Sequence, residues 1–123
     1  MATLEALEYK PFEAIKEIDE NGKEFWRARD LQVVLEYIEW RNFNKVIDKA
    51  MLACENAKHP VVEHFVDVNK MVMLGSNTQK IIPDYKLTRY ACYLIVQNGN
   101  PRKNVIALGQ TYFAIQTRRA EVA

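Results

Sequence analysis

The chain has 123 residues, 49% hydrophobic and 27% charged, which suits one compact domain with a modest core. No apolar run approaches the roughly 20 residues a membrane-spanning helix needs, and the start, MATLEALEYKPFEAIKEIDENG, lacks the basic end and apolar block of a signal peptide, so a cytoplasmic protein is expected. The formal net charge of +1 conceals an asymmetry: residues 1–79 balance to −4 and residues 80–123 to +5, so the basic end either approaches an anionic partner or simply solvates a helix face.

In chain order, PFEAIKEI starts with Pro11 at a plausible helix start and puts Phe12, Ile15 and Ile18 on one side. A short helix is the reading adopted, although so short a period does not separate it from a strand. Asp19-Glu20-Asn21-Gly22 is a turn signal, since Asn-Gly supplies positive φ, and Lys23 to Arg27 after it is extended, which together make a hairpin. From Asp30, the residues Leu31, Val34, Leu35 and Ile38 mark a helix. Asp30 places a helpful negative charge in its first turn. A second helix starts near Trp40 or Arg41, faces Phe43, Val46, Ile47, Ala50, Met51 and Cys54 inward, and ends before His59-Pro60 because a residue before proline disfavours the helical region.

Between Val61 and Ile82 the pattern changes to short strands (Phe65 to Val68, Met71 to Leu74, Lys80 to Ile82) around the polar Gly75-Ser76-Asn77-Thr78. Pro83 then precedes Asp84, which reads as the N-cap of a helix carrying Leu87, Tyr90, Ala91, Leu94 and Ile95. Asn98-Gly99 ends that helix. Asn100 is placed to cap the last one and Pro101 to sit in its first turn, with Val105, Leu108, Tyr112 and Ile115 as its buried stripe. Gly109 within that stripe costs about 1 kcal/mol against alanine, which implies a backbone packed close against it. The chain stops in helix-forming sequence, Arg118 to Ala123, with no stop signal, and so reads as the first part of something longer. Together these elements describe a single α+β domain with about five helices and a small antiparallel sheet.

A catalytic site requires a nucleophile with a base, paired carboxylates or a metal cluster, and none is persuasive here, so a non-enzymatic domain is expected. Cys54, His59 and His64 with Glu63 match no compact zinc spacing, which leaves no metal site and no cofactor expected. Cys54 and Cys92 each lie in an apolar helical stretch and read as buried free thiols. The glycines form no phosphate-binding loop.

Nucleic-acid contact has more material. Arg41, Asn42 and Lys45 cluster at a helix start with Trp40 and Phe43, a set able to stack on bases and contact phosphate, or else to fill the core and solvate its rim. Arg102, Lys103 and Asn104 lie in the expected first turn of the last helix, where backbone N–H groups already favour an anion. Arg118 and Arg119 continue the positive charge. Arg27 and Arg29, at alternate spacing, point to one face of an extended segment or pair with Asp30 or Glu36. Tyr90, Tyr93, Tyr112 and Phe113 recur at helical spacing and are read as core.

FWRARDLQVVLEYIEWRNFNKVI and DYKLTRYACYLIVQNGNPRKNVIALGQTYFAIQTRR resemble the bacterial DNA-damage-inducible protein D family. The resemblance runs from Phe12 to Arg119 and includes unusual runs such as Arg89-Tyr90-Ala91-Cys92-Tyr93 and Gln110-Thr111-Tyr112-Phe113-Ala114. The aromatic-Arg-Ala-Arg-Asp-Leu run is also similar, more distantly, to the N-terminal domain of phage antirepressors and baculovirus repeated-ORF proteins. The resemblance implies an N-terminal domain, residues 1–123, of a protein roughly twice as long as this chain. It further implies induction in the SOS response, action on the recombinase filament on single-stranded DNA, and contact with DNA or a repressor. A protein-interaction module that docks on a recombinase, a repressor or a second copy of itself is the alternative. Two departures stand out: Ala28 occupies a position where relatives often have a small hydroxyl cap, and Ile38-Glu39 precede Trp40 where a threonine would cap better.

Overall fold

The structure is a computed structural model that describes the backbone of residues 9–122 and the side chains of residues 9–114. The side chains of Ile115, Arg118 and Arg119 therefore lie outside the described residues.

Helix α1, Lys10–Ala14, takes Pro11 in its first turn, where a missing N–H costs nothing, and buries Phe12. The helix expected to reach Ile18 stops here. Strand β1, Glu17–Ile18, instead pairs antiparallel with β2, Glu24–Arg27. The turn between them is held by Asp19, whose Oδ1 accepts from the backbone N–H groups of Asn21 (2.9 Å) and Lys23 (2.8 Å), and Gly22 adopts φ +79°. That Asx turn draws Glu17 and Ile18 out of the helix and into the hairpin.

Helix α2, Ala28–Val34, buries Ala28 and Leu31, and Leu35 follows them into the core. Ile38 does not continue the stripe. Glu36 adopts φ +62°, the helix ends, and Ile38 is left 97% exposed. Arg27 at the N-cap makes no side-chain cap bond; the Arg29 N–H donates instead to Asp84 Oδ1 at 2.9 Å. A strand residue thus supplies the cap that position 28 lacks.

Helix α3, Trp40–Asn56, buries Phe43, Ile47, Ala50 and Cys54, and half-buries Val46 and Met51. It ends ahead of His59-Pro60 as expected, and one helical turn, α4, Val61–His64, leads into the sheet. Strands β3, Phe65–Met73, and β4, Gln79–Leu87, form a single long ribbon rather than several short strands, paired from Phe65↔Leu87 out to Met73↔Gln79. The sheet order is β1-β2-β4-β3, and β2 meets β4 only at Trp26↔Leu87 and Arg27↔Lys86. Among the described residues the ribbon has no neighbouring strand beyond Lys86, and past Pro83 its mostly exposed residues project as an arm.

Asp84 lies inside β4, 1% exposed, and so is not the N-cap of the helix that follows it. Pro83 is tolerated in the strand because its carbonyl faces outward, where it accepts from Arg29 Nε at 2.8 Å, so the missing N–H faces away from the β3 ladder. The cap of helix α5, Arg89–Gln97, is Thr88, whose Oγ1 accepts from the Ala91 N–H at 3.2 Å.

Helix α6, Asn104–Val122, closes the core. Among the described side chains its buried residues are Ile106, Gly109, Tyr112 and Phe113, while Val105 and Leu108 are half-buried, so up to residue 114 the inward face sits one position round from the expected stripe. A Cβ on Gly109 would lie 3.0 Å from Val96 Cγ1 and 3.2 Å from Phe12 Cζ, so the glycine makes room for side chains and not for a backbone. Around it, Phe113 stands edge-on to Trp26 (5.3 Å between ring centres, 81°) and to Phe12 (5.5 Å, 74°). Trp26 satisfies its indole by donating from Nε1 to the Phe12 carbonyl at 3.0 Å.

Candidate nucleic-acid interface

The buried stripe of α3 fixes what the helix shows to solvent. With Phe43, Ile47, Ala50 and Cys54 turned inward, Arg41, Lys45 and Lys49 fall in one exposed row at steps of four residues. Each such step rises about 6 Å, a spacing suited to successive phosphates. Asn42 flanks the row on one side and Asp48 and Glu55 on the other. Lys49 extends the row beyond the residues expected from the sequence, and its four-residue step from Lys45 is the signal that finds it.

Trp40 does not stand out as a stacking platform. It is half-buried, stacks on Tyr85 (6.5 Å, 23°), meets Phe43 edge-on at 6.0 Å and carries the Arg29 guanidinium 3.6 Å above its ring centre. Arg29, half-buried, is thereby held against the body, where burial lowers its pKa against the raising influence of Asp84. Arg27 pairs instead with Glu17 at 2.8 Å. Neither arginine pairs with Asp30 or Glu36, and since Arg29 belongs to α2 the two do not share a face of one extended segment.

Arg102 and Lys103 precede α6 rather than lying in its first turn. Asn100 draws them into a turn of its own, its Oδ1 accepting from the Arg102 N–H at 3.0 Å and its carbonyl from the Lys103 N–H at 3.1 Å. The Lys103 carbonyl accepts from Ala107 at 3.2 Å and so starts the helix. Arg102 and Asn104 are exposed. Lys103 is engaged: its ammonium donates to the Glu36 carbonyl at 3.0 Å and sits 4.2 Å from the centre of the Tyr37 ring.

The fold does bring the two sequence-predicted clusters together, since Asn42 and Lys103 line one open cleft with Glu36, Tyr37, Ile38 and Glu39. Two glutamates wall that cleft, and Glu39 reaches Arg41 at 3.5 Å with both side chains exposed, a contact of little strength in water. Lys45 and Lys49 on the outer row of α3 and the exposed Arg102 are not among the residues lining that cleft.

Around His64 the residues are structural. Its Nδ1 lies 2.6 Å from Thr88 Oγ1, and its ring packs against Tyr90 and His59. Burial, and secondly the charge on His59, lower its pKa. Cys54 Sγ donates to the His59 carbonyl at 3.6 Å. Among the described residues no group of His, Cys, Asp and Glu is placed to hold a metal ion. Cys54 and Cys92 are both buried free thiols whose pKa values burial raises, which makes them poor nucleophiles. Among the described residues no helix is long and apolar enough to cross a membrane.

Comparison with known proteins supplies the class of this small α+β body with its exposed basic helix: residues 5–114 match the N-terminal domain of the BRO family, and the chain belongs to that family. Over 115 residues, 94% of its length, it is 54% identical to DNA damage-inducible protein D of Escherichia coli strain K12. The chain spans 42% of the length of that relative. No solved structure matches it.

Proposed function

We propose that this domain is a non-enzymatic, nucleic-acid-binding module of a cytoplasmic bacterial DNA-damage response, acting on the recombinase filament that assembles on single-stranded DNA. The observation that carries it is the row Arg41, Lys45 and Lys49 on the outer face of α3, flanked by Asn42 and extended by Arg102. The similarity to a damage-inducible protein supplies the cellular setting. Titration of a labelled single strand at several salt concentrations tests it. Arg41→Ala with Lys45→Ala and Lys49→Ala should weaken binding and flatten the slope of log affinity against log salt by about 2, the share of three phosphate contacts on a single strand. Arg102→Ala should act in the same direction and more weakly. Absence of binding at low salt, or a triple variant that binds unchanged, would overturn the proposal.

One observation favours protein docking as a second reading. Val33 at 74% exposure lies on the last turn of α2 and Ile38 at 97% on the loop after it, a loop tied down where Gln32 Nε2 donates to the Tyr37 carbonyl at 3.0 Å and Lys103 to that of Glu36. Capture of purified recombinase by the domain without DNA, lost in Ile38→Asp, is the result this reading requires.

A further inference from the structure

The sheet turns one face to the core and the other away from it. Trp26, Phe65 and Leu87 are buried on the inner face, so by the two-residue alternation of the strands Phe25, Arg27, Lys70, Lys80 and Lys86 stand on the outer one. Ring contacts agree with this assignment. The Arg27 guanidinium lies 5.4 Å and the Lys86 ammonium 5.0 Å from the centre of the Phe25 ring.

Along this outer face the cations run from the body into the arm. Lys86 is paired with Arg27 at the root, and Lys80 stands six residues before it on β4, about 20 Å along the strand. Lys70 faces Ile82 and Lys80 faces Val72, which makes the two lysines diagonal neighbours whose side chains leave the ribbon roughly 7–8 Å apart. Both are exposed, and no acidic residue occurs between Val68 and Pro83. Val72 and Ile82, half-buried, complete the square as an aliphatic floor beside two like charges.

The acids of this side lie nearer the root. Glu17 is paired with Arg27 at 2.8 Å, and Asp84 is buried with its Oδ1 accepting from the backbone N–H groups of Arg29 and Tyr85. Asp30, in the first turn of α2, is close enough to Lys70 to feel its charge and offsets it in part.

We propose that the outer face of the sheet is a second contact surface for single-stranded nucleic acid, with phosphates held by Lys70 and Lys80 and a base stacked on Phe25 between Arg27 and Lys86. A row of cations over an aliphatic and aromatic floor suits a linear polyanion whose bases present apolar faces. This surface presupposes the nucleic-acid binding proposed above and adds a place for a second strand. Helix α3 turns Phe43, Ile47 and Ala50 inward, so its row of Arg41, Lys45 and Lys49 points away from the core on one side while the outer sheet face points away from it on another. One domain should therefore hold two short strands at once.

Titration of the 123-residue chain with short labelled oligothymidine tests this, read as stoichiometry, as anisotropy and as energy transfer between donor-labelled and acceptor-labelled strands. The parent should bind two strands per chain, with transfer between them, and Lys70→Gln with Lys80→Gln should leave one strand and no transfer. Both lysines are exposed, so that variant should keep the circular dichroism of the parent. The chain carrying Arg41→Ala, Lys45→Ala and Lys49→Ala isolates the sheet face. In that background the two glutamines should flatten the slope of log affinity against log salt by about 1.4, the share of two phosphate contacts on a single strand. Phe25→Leu there should weaken binding without altering the slope, since stacking releases no counterions. A parent that binds one strand per chain, or arm lysines whose replacement changes neither stoichiometry nor slope, would overturn the proposal and leave the reading of α3 intact. Binding abolished by the two glutamines but indifferent to the α3 substitutions would overturn the reading of α3 and support this one. Poly-glutamate that displaces oligothymidine from the sheet face at equal concentration of charge would overturn it as well, marking a site for an acidic protein segment.

Discussion

The guanidinium carbon of Arg29 lies 3.6 Å above the centre of the Trp40 ring, and the same side chain donates from Nε to the Pro83 carbonyl at 2.8 Å. One residue therefore ties the start of α2, the start of α3 and the root of the arm. Arg29→Ala is expected to lower stability by about 1–3 kcal/mol in urea unfolding, through the lost cation–π contact and the charge-assisted hydrogen bond. A double-mutant cycle with Trp40→Leu should return a coupling energy of about 0.5–2 kcal/mol. Additive effects would mean that the two side chains do not interact.

Arg89 forms a two-pronged pair with Glu24, Nε to Oε1 at 2.8 Å and Nη2 to Oε2 at 2.6 Å, and its side chain is 13% exposed. Its Nη1 already lacks a partner. Glu24→Ala strands the remaining cation in the interior and should cost about 2–3 kcal/mol, below the range for fully buried pairs because Glu24 is one-third exposed. Arg89→Met in that background should recover part of the loss.

Gly109→Ala sets two effects against each other. Helix propensity favours alanine by about 1 kcal/mol, but the new Cβ would meet Val96 and Phe12, neither of which has space to retreat. Overpacking of this kind costs about 1–3 kcal/mol, so the variant should be destabilised on balance. Adding Val96→Ala should shrink the penalty of Gly109→Ala; a penalty unchanged in that background would mean the steric account is wrong.

The pH dependence follows from His64, whose folded-state pKa is held below its ordinary value of 6.5 by burial and by His59. The unfolded chain then binds a proton more readily than the folded one as pH falls below that value. Stability from this residue is complete above the ordinary value and declines as pH falls through the folded one. Thermal melts between neutral and mildly acidic pH should show the decline, and His64→Gln should flatten it. Thr88→Ala removes the α5 cap and should cost about 1 kcal/mol at neutral pH.

Much of the architecture is legible in the sequence, because α2, α3 and α5 carry a clear helical period and Asn21-Gly22 announces its turn. Asp84 misleads for a physical reason. Pro-Asp looks locally like a helix start, yet the N–H that Asp84 caps belongs to Arg29, 55 residues away. The arm was hard to read as one ribbon because both its faces are exposed, so apolar and polar residues do not alternate as they would on a half-buried strand. The structure leaves Arg41, Asn42 and Lys45 exposed at the start of α3, where a helical period alone places them. The engagement of Lys103 with Tyr37 and Glu36 could not be read, since it depends on a loop 67 residues earlier.

Tyr112 donates its hydroxyl to Glu13, 99 residues before it, and holds that carboxyl below its ordinary pKa against the opposing effect of burial. Phe113, the next residue, supplies the ring on which Phe12 and Trp26 both rest. A ribosome making this chain thus releases the first aromatic residues of the core long before their lid exists. At about 5–20 residues per second that interval lasts on the order of 5–20 s. Over that time Phe12 and Trp26 wait without the ring that covers them, and this core is completed only when α6 emerges.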